Sequence, residues 1–347
     1  GLAEDARSTK ELHDAMRACL GSRVAMRVLW ELASFTAVDA DDLYAGLRTV
    51  PWHEHVTARH TLAVRATCAN SALTHTQFIA QRTKDAVVDA LRDRSGARPD
   101  VNTDDPDVAI TVRLAKDVAT VYLDLSGDPL HRRGYRTELT DAVLKETLAA
   151  AVVRLSGWRP GAAFHDPLCG AGTLAIEAAM MACDIAPGSR RHHGFERWPR
   201  FEGELRDAWR AMLDEARCRE KQSVEQPIVA ADHDPEALAI TRRNADRAGV
   251  GAVLTTRVAD VRHLEEHTGD GYIVSDPPYG DRLAAKPLQL AGFFRQLGDA
   301  LRLQHGSHVS LLSGNALLGR NIGMHPTREH TLFNGAIECR LFSYEIP

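Results

Sequence analysis

Strands and helices alternate along the chain from residue 161 onward, and this alternation is the feature that most limits the fold. Repeated strand–helix–strand units build a mostly parallel sheet with helices on both faces. Asn334-Gly335, between two apolar runs near the end, predicts a hairpin. We therefore expect an α/β fold: a Rossmann-like, doubly wound sheet with a C-terminal antiparallel hairpin. The predicted strands are 162–165, 227–231, 253–259, 272–275 and 307–312, and the predicted helices are 173–182, 235–248 and 288–303.

Four of these predicted strands are each followed by an acidic residue. A single residue of this kind is typical of a turn or a helix cap. Four of them at the carboxyl ends of parallel strands meet at one edge of the sheet, where ligands bind in such folds. The sequence therefore predicts a ligand site at this edge, around Asp166, Asp232, Asp260 and Asp276.

The turn after the first of these strands is rich in glycine and spans residues 166–173. Gly170 and Gly172 allow a sharp turn and a close approach of the backbone to a ligand. The amides of the following helix would point at that ligand. The third glycine of a dinucleotide fingerprint is absent, since Ala175 stands in its place. We interpret Cys169 as a small packing residue, because no base lies near it in the sequence.

Two strand-end carboxylates are candidates for contacts with a nucleoside. Asp232 is placed to accept hydrogen bonds from a ribose diol, as acidic residues do in dinucleotide sites. Asp260 follows the third strand, where it could contact an adenine amine. Asp234 competes with Asp232 for the ribose, although it also suits capping of the helix that starts at Pro235.

The most specific motif of the chain is Asp276-Pro277-Pro278-Tyr279. Two prolines restrict the backbone after the fourth strand and direct the Asp276 carboxylate and the Pro277 carbonyl at one point. Two acceptors suit an amino group, whose nitrogen lone pair then faces an electrophile. Tyr279 offers a flat face on which a flipped base could stack. The alternative is a proline-rich loop that only ends a strand.

The region before residue 130 has mixed helical and strand signals that predict a small α+β domain. It contains predicted strands at 24–30, 61–68, 108–112 and 118–123 and a predicted helix at 78–91. Turn-forming residues 126–129 indicate a boundary. The expected division is a domain at 1–130, a linker and helix at 131–160, and a domain at 161–347 with an insertion at 184–226.

Composition and cysteine content narrow the class of protein. Hydrophobic residues make up 44% and charged residues 26% of the 347 residues, which is typical of a globular chain. A net charge of −5 excludes a global basic field but leaves room for a local basic patch. Six scattered cysteines without a C-x-x-C pair indicate reduced thiols. Residues 52–55 lack further ligands at a metal-site spacing, so we expect no metal.

Neither a signal peptide nor a membrane helix is predicted, because no apolar run approaches the ~18 to 20 residues that such a helix needs. We expect a cytoplasmic protein. The chain starts at Gly1 without a Met. We therefore expect it to begin partway into a longer chain, with an incomplete N-terminal domain.

Basic and aromatic residues concentrate in the insertion, and further arginines follow the domain boundary. Arginines pair with phosphates and aromatic rings stack on unpaired bases, so both segments predict contacts with RNA. The alternatives are a solvated loop for the first segment and domain packing for the second. The predicted RNA-binding residues are Arg190, Arg191, Arg197, Trp198, Arg132, Arg133 and Arg136.

Several stretches in this order resemble the class I S-adenosylmethionine-dependent amino-methyltransferases. Within that class, the chain is similar to the large-subunit (23S) ribosomal RNA guanine-N2 methyltransferases of the L type, which carry an N-terminal THUMP domain. The resemblance covers nearly the whole chain. The matching stretches are 128–136, 145–150, 166–173, 176–179, 194–198, 276–283 and 334–335.

The resemblance implies transfer of a methyl group from S-adenosylmethionine to the exocyclic N2 amine of a guanine, leaving S-adenosylhomocysteine. It also implies ribosomal RNA or a pre-ribosomal particle as partner. In the family, Asn usually stands where this chain has Asp276, and Asp is also common in adenine and cytosine amino-methyltransferases. The implied catalytic residues are Asp276, Pro277, Pro278 and Tyr279. The implied cofactor-binding residues are Asp166, Pro167, Leu168, Cys169, Gly170, Gly172, Thr173, Asp232, His233, Asp260, Val261 and Asp276.

Three other functions remain open on the sequence alone. The nearest is a transfer RNA guanine-N2 methyltransferase, or an adenine-N6 methyltransferase, with the same core. A nicotinamide-dependent oxidoreductase would fit the parallel sheet, although the missing third glycine and the Asp-Pro-Pro-Tyr motif count against it. The third is an RNA-binding module without catalytic activity.

Overall fold

The computed structural model describes residues 2–137, 144–278 and 287–347. The helices of this part of the chain are α1 (Leu2–Gly21), α2 (Ala40–Arg48), α3 (Thr76–Ser95), α4 (Glu146–Leu155), α5 (Thr173–Ala182), α6 (Glu204–Arg219), α7 (Pro235–Ala248), α8 (Pro287–Arg302) and α9 (Leu317–Asn321). The strands are β1 (Leu29–Thr36), β2 (Thr61–Ala69), β3 (Asp100–Val101), β4 (Val108–Ala115), β5 (Val118–Asp124), β6 (Phe164–Asp166), β7 (Ile228–Asp232), β8 (Leu254–Val258), β9 (His267–Ser275), β10 (Gln304–Ser313), β11 (Arg328–Asn334) and β12 (Ile337–Glu345).

The chain forms two compact units, and each is built from two separate segments. The first unit comprises Gly1–Leu130 and Arg191–Glu215, and the second comprises His131–Arg190 and Ala216–Pro347. The middle of the segment predicted as an insertion of the second domain therefore belongs to the first unit. Its apolar residues explain this placement, since Trp198 stacks on Trp30 with ring centroids 6.4 Å apart.

The first unit contains a five-stranded sheet with the order β1-β5-β4-β2-β3. One face of the sheet is fully buried, as shown by Ile110, Val112 and Leu114 of β4 at 0% exposure. Helices α2 and α3 contribute buried side chains such as Leu43 and Ile79 to this core. From Ile110 to Ala115 on β4 and from Val118 to Leu123 on β5, buried residues alternate with less buried ones, because side chains alternate between the two faces of a sheet.

The start of β1 and the whole of α2 differ from the sequence prediction. The strand predicted at 24–30 begins only at Leu29, because its partner β5 ends at Asp124, which pairs with Leu29. Helix α2 was missed, although Asp39 is a good N-cap and accepts hydrogen bonds from the amides of Asp41 and Asp42, at 2.9 Å each.

The second unit contains a seven-stranded sheet with the order β11-β12-β10-β9-β6-β7-β8. Strands β6 to β10 pair in parallel, and β12 and β11 add an antiparallel edge. The chain runs outward from β6 through β7 to β8, and then returns to the other side of β6 with β9. This reversal is the topological switch point of a doubly wound sheet, where ligands bind. The predicted fold class is confirmed.

The helices around this sheet follow clear end signals. Helix α7 starts at Pro235 after the N-cap Asp234 and ends at Gly249, which has a φ of +77°. Such a left-handed residue after the last turn is typical of glycine. The helix predicted within residues 131–160 is α4, at Glu146–Leu155, and residues 138–143 lie outside the described part of the chain. None of the helices described is both long and apolar enough to cross a bilayer.

Candidate active site

Three of the predicted strand-end carboxylates lie on adjacent strands at the switch point. Asp232 ends β7, Asp166 ends the neighbouring β6, and Asp276 directly follows β9 on the other side of β6. The structure therefore brings Asp166, Asp232 and Asp276 to one edge of the sheet. Asp260 follows β8 and begins a short 3₁₀-helix as its N-cap. The strand order thus extends the row of carboxylates across four strands.

Asp166 is the buried centre of this row. It is 1% exposed, and its carboxylate accepts a hydrogen bond of 2.6 Å from the hydroxyl of Ser275. The backbone amide of Leu168 donates to the same oxygen at 3.3 Å. Burial raises the pKa of Asp166 to about 7, and the nearby charges of Asp276 and Asp232 add to the increase, while the two hydrogen bonds oppose it.

Ser275 is a residue that the sequence reasoning missed. It is fully buried at the end of β9 and joins the strand that carries Asp276 to the strand that carries Asp166. The available signal was a hydroxyl residue in an otherwise apolar run, directly before the Asp-Pro-Pro motif. Buried hydroxyl groups require a partner, and here the partner belongs to the site.

The glycine turn has the geometry that its sequence predicts. Gly170 and Gly172 have φ angles of +51° and +81°. A Cβ atom on Gly172 would lie 2.6 Å from Cγ2 of Thr241, so no larger residue fits without displacement. Thr241 Oγ1 donates to the Gly170 carbonyl at 2.8 Å, and Asn244 Nδ2 donates to the Ala171 carbonyl at 3.2 Å. Helix α7 therefore fixes the turn.

Thr241 and Asn244 were also missed by the sequence reasoning. Both are fully buried on α7, with 0% of their surface exposed. Polar residues on the buried face of an amphipathic helix signal a hydrogen-bonded partner, but the sequence does not say which loop supplies it. Cys169 is buried next to Thr241, and burial raises the pKa of its thiol. This environment fits a packing residue.

Asp232 connects the glycine turn to the end of β7. One carboxylate oxygen accepts a hydrogen bond of 2.9 Å from the Gly170 amide, and the other accepts one of 3.0 Å from the Asp234 amide. Nδ1 of His233 lies 3.0 Å from the second oxygen. Asp234 is used as the N-cap of α7, since it accepts a 2.9 Å hydrogen bond from the Glu236 amide. Asp232 is therefore the better candidate for a ribose contact.

A cavity of about 290 Å³ opens at this edge of the sheet. Asp260 lies on its wall and accepts hydrogen bonds of 2.9 Å from both the backbone amide and Nε of Arg262. The Arg262 side chain lowers the pKa of Asp260 to about 2, so this carboxylate is an anion at neutral pH. The lining of the cavity includes Leu168, Asp260, Val261, Pro278, Leu290 and Phe293.

The other predicted residues of the site are placed as follows. Asp276 and Pro278 are half-buried and Pro277 is buried, while Tyr279 lies outside the described residues. Pro167 and Thr173 are buried at the two ends of the glycine turn. The described residues contain no cluster of three or more His, Cys, Asp or Glu side chains arranged to hold a metal ion.

Two of the insertion arginines that were predicted to bind RNA, Arg191 and Arg197, contact other residues of the first unit. The guanidinium of Arg191 donates to the carbonyls of Ser126, Asp128 and Pro129 at 2.7 to 2.9 Å. Arg197 lies 2.8 Å from a carboxylate oxygen of Asp105. Trp198, predicted with them, is 6% exposed. These side chains hold the insertion in place.

Two of the arginines after the domain boundary, Arg133 and Arg136, are paired within the second unit. Arg133 is 2% exposed and its Nε lies 3.5 Å from Oε1 of the fully buried Glu177. Arg136 donates to Glu146 at 3.1 Å and to the carbonyl of Leu144 at 2.9 Å. Arg190 is half-exposed near Glu220, and Arg132 is exposed. Ion pairing explains the burial of Arg133 and Arg136, since buried charges are normally paired.

Comparisons with known proteins agree with this geometry. Residues 133–343 match the family model described as RMKL-like, methyltransferase domain, and residues 37–124 match the THUMP domain. The ribosomal RNA large subunit methyltransferase K/L of Syntrophotalea carbinolica is 42% identical over 96% of this chain and 48% of its own length. The chain thus spans about half the length of the curated relatives it matches.

Two solved structures have the same fold over nearly the whole chain. A methyltransferase designated SMU.472, solved in complex with S-adenosylhomocysteine, has a TM-score of 0.86 and 27% identity, covering 97% of this chain and 88% of that one. A predicted N6-adenine-specific DNA methylase from Listeria monocytogenes has a TM-score of 0.85 and 29% identity, covering 97% and 86%.

The methyltransferase class predicted from the sequence, with its S-adenosylmethionine dependence, is confirmed at the level of the family. The methyltransferase family model covers residues 133–343, which are 61% of the chain. The chain therefore belongs to the family of RMKL-like methyltransferase domains and carries a THUMP domain in its first unit.

Proposed function

We propose that this chain transfers a methyl group from S-adenosylmethionine to the N2 amine of a guanine in large-subunit ribosomal RNA. The observation that carries the proposal is the position of Asp276-Pro277-Pro278 at the end of β9, beside Asp166 and the glycine turn. Hydrogen-bond acceptors for an amine and a nucleoside-sized cavity then lie at the same edge of the sheet. The names of the curated relatives support ribosomal RNA as the substrate.

The residues at this edge fit the chemistry of S-adenosylmethionine. The apolar walls formed by Leu290 and Phe293 suit an adenine ring, and the anionic Asp260 would accept from its amine. Asp232 would hold the ribose, for which its two oxygens are already oriented by the Gly170 and Asp234 amides. The sulfonium supplies an electrophilic methyl group, and its positive charge complements a site that contains several carboxylates.

The residues of the chain contribute positioning and acceptors for hydrogens. The carboxylate of Asp276 and the carbonyl of Pro277 would accept the two hydrogens of the amine, which leaves the nitrogen lone pair free to attack the methyl carbon. The bond from sulfur to methyl breaks as the bond from nitrogen to methyl forms, and the nitrogen then releases one proton. Orientation of this kind removes much of the entropic barrier, and aligned acceptors stabilise the positive charge on nitrogen.

Methylation of unmodified RNA tests the proposal. The RNA is 23S ribosomal RNA from a strain that lacks the corresponding gene, and nucleoside mass spectrometry identifies the product. We expect N2-methylguanosine with the unaltered chain and a large loss with Asp276→Ala. Asp276→Asn should retain activity, because its amide oxygen still accepts a hydrogen bond. Absence of methylated guanosine on this RNA would contradict the proposal.

Adenine N6 is the second candidate target. Asp276 stands where the resembling guanine-N2 enzymes usually have Asn, and one of the two structural neighbours is named as an N6-adenine-specific DNA methylase. The same mass spectrometry separates the two candidates, since this alternative gives N6-methyladenosine in RNA or N6-methyldeoxyadenosine in DNA.

A further inference from the structure

The two strands that flank the switch point, β6 and β9, stop pairing before β9 reaches the carboxyl edge. In the described part of the chain, backbone pairing between them ends at His165 and Ile273. On its other side, β9 stays paired with β10 as far as Ser275. The opening between strands at a switch point is where doubly wound sheets bind their ligands. The backbone ladder therefore leaves the end of β9 unfixed relative to the end of β6.

A side-chain hydrogen bond takes the place of the ladder at this point. The hydroxyl of the fully buried Ser275 donates to the carboxylate of Asp166 at 2.6 Å. This length is typical of a hydroxyl bonded to a carboxylate, which is a stronger bond than one between neutral groups. The Leu168 amide donates to the same oxygen at 3.3 Å, so the contact also reaches the glycine turn. The Ser275 hydroxyl therefore links the strand that leads into the Asp-Pro-Pro motif to the turn assigned to the cofactor.

We propose that Ser275 is a positioning residue for methyl transfer. The inference rests on the proposed function for the role of Asp276, but not for the identity of the target base. Asp276 follows Ser275 directly, so a shift of Ser275 moves the acceptors that hold the amine. Asp166, on the other side of the bond, begins the turn that would hold the cofactor. Through this bond Ser275 keeps the amine acceptors at a fixed distance from the methyl donor.

The geometry of the reaction makes such a distance important for the rate. The attacking nitrogen and the methyl carbon must come within about 3 to 3.5 Å in line, and a misplacement of about 1 Å can cost about 100-fold. Each substrate can still bind to its own side of the switch point when the two sides shift apart. Loss of the Ser275 hydroxyl should therefore lower kcat and leave the binding of both substrates largely unchanged.

Steady-state methyl transfer by two variants of Ser275 tests the proposal. The acceptor is 23S ribosomal RNA from a strain that lacks the corresponding gene or, if the unaltered chain does not methylate it, total RNA or DNA from that strain. We expect Ser275→Ala to lower kcat at least about 10-fold, with KM for the nucleic acid and affinity for S-adenosylmethionine within about 3-fold. Ser275→Cys has a similar volume but a weak donor. It should lower kcat by about 3-fold or more, and by less than Ser275→Ala.

The matched control is Ser310→Ala on the adjacent strand β10. Ser310 is 1% exposed, and its hydroxyl is hydrogen-bonded to the hydroxyl of Ser343 on β12 at 3.1 Å. The same substitution thus removes a bond between neighbouring strands that does not involve the carboxylate row. We expect a lower midpoint of unfolding, as for Ser275→Ala, but a kcat within about 2-fold of the unaltered chain.

A double variant shows whether Ser275 acts through Asp276. Ser275→Ala should lower kcat by a smaller factor in the Asp276→Ala background than in the unaltered chain, because the carboxylate that it positions is already absent. An unchanged kcat in Ser275→Ala, an equal loss in Ser310→Ala, or the same factor in both backgrounds would overturn the proposal. If Ser275→Ala does not fold, Ser275→Cys is compared with Ser310→Ala on the same terms.

The outcome for the target base separates this inference from the proposed function. Methylation of a base position other than guanine N2, with the expected loss of kcat in Ser275→Ala, would contradict the proposed function alone. N2-methylguanosine formed at the same kcat by Ser275→Ala and by the unaltered chain would contradict this inference alone. Absence of methyl transfer to any RNA or DNA would contradict both.

Discussion

The carboxylates at the strand ends and the arginines of the insertion are both clusters of charge, but they differ in how far sequence determines their orientation. The ends of parallel strands must meet at one edge, so Asp166, Asp232 and Asp276 converge once the strand order is set. No comparable rule directs an arginine in a connecting segment. Arg191 turns inward to three carbonyl groups. Position on a regular element therefore predicts the placement of a side chain better than residue type does.

The largest expected effect on stability concerns Arg133, which the sequence predicted to bind RNA. Arg133→Met should lower the free energy of unfolding by about 3–5 kcal/mol, because it leaves the buried Glu177 carboxylate without this counter-charge. Denaturant titration measures the change. Arg132→Met is the matched control, since the adjacent side chain is exposed. If both variants unfold at the same denaturant concentration, Arg133 has no structural role and its predicted contact with RNA regains support.

The second prediction concerns the pH dependence of stability at the carboxylate row. The pKa of Asp166 is raised to about 7 in the folded protein from an ordinary value of 3.8. The folded state therefore holds the proton more tightly than the unfolded state. Stability from this group is fully present below about pH 4 and is lost as the pH rises to about 7. The free energy of unfolding of the unaltered chain should fall by on the order of 3 kcal/mol between pH 5 and pH 8 because of this group. The variant Asp166→Asn, which cannot ionise, should not show this fall.

Thermal and denaturant unfolding of both proteins across that pH range provides the measurement. The difference in stability between Asp166→Asn and the unaltered chain should grow in favour of the variant as the pH rises. A difference that stays constant with pH would show that Asp166 ionises normally in the folded protein, and it would weaken the case for a closely packed carboxylate row.

A smaller effect on stability is expected from alanine substitutions at the two glycines of the glycine turn. Gly172→Ala places a Cβ atom 2.6 Å from Thr241 and should cost about 2 kcal/mol of stability, together with affinity for S-adenosylmethionine. Gly170→Ala should cost only about 1 kcal/mol, because its φ is also positive but no atom lies within 4 Å of the added Cβ. Similar costs at both positions would mean that Thr241 moves aside and does not fix the turn.

Local signals predicted much of the second unit. The bounds of α5 and α7 agree with the sequence prediction, because a glycine precedes α5 and Pro235 and Gly249 mark the ends of α7. The predicted strand ends and glycine turn followed from the same kind of signal. The roles of Ser275, Thr241 and Asn244 could not be predicted, since each depends on a partner that is distant in sequence. The packing of the insertion was missed for the same reason, whereas helix α6 was missed although it has acidic residues in its first turn and basic residues in its last turn.

The central claim is that Asp276 holds the target amine at the carboxyl edge of the sheet. The most direct test measures methyl transfer to unmodified 23S ribosomal RNA and S-adenosylmethionine binding for Asp276→Ala and Asp276→Asn. We predict that Asp276→Ala keeps cofactor affinity within about 10-fold but loses at least about 100-fold in kcat, whereas Asp276→Asn retains most activity. Methyl transfer by Asp276→Ala at the rate of the unaltered chain would contradict the claim.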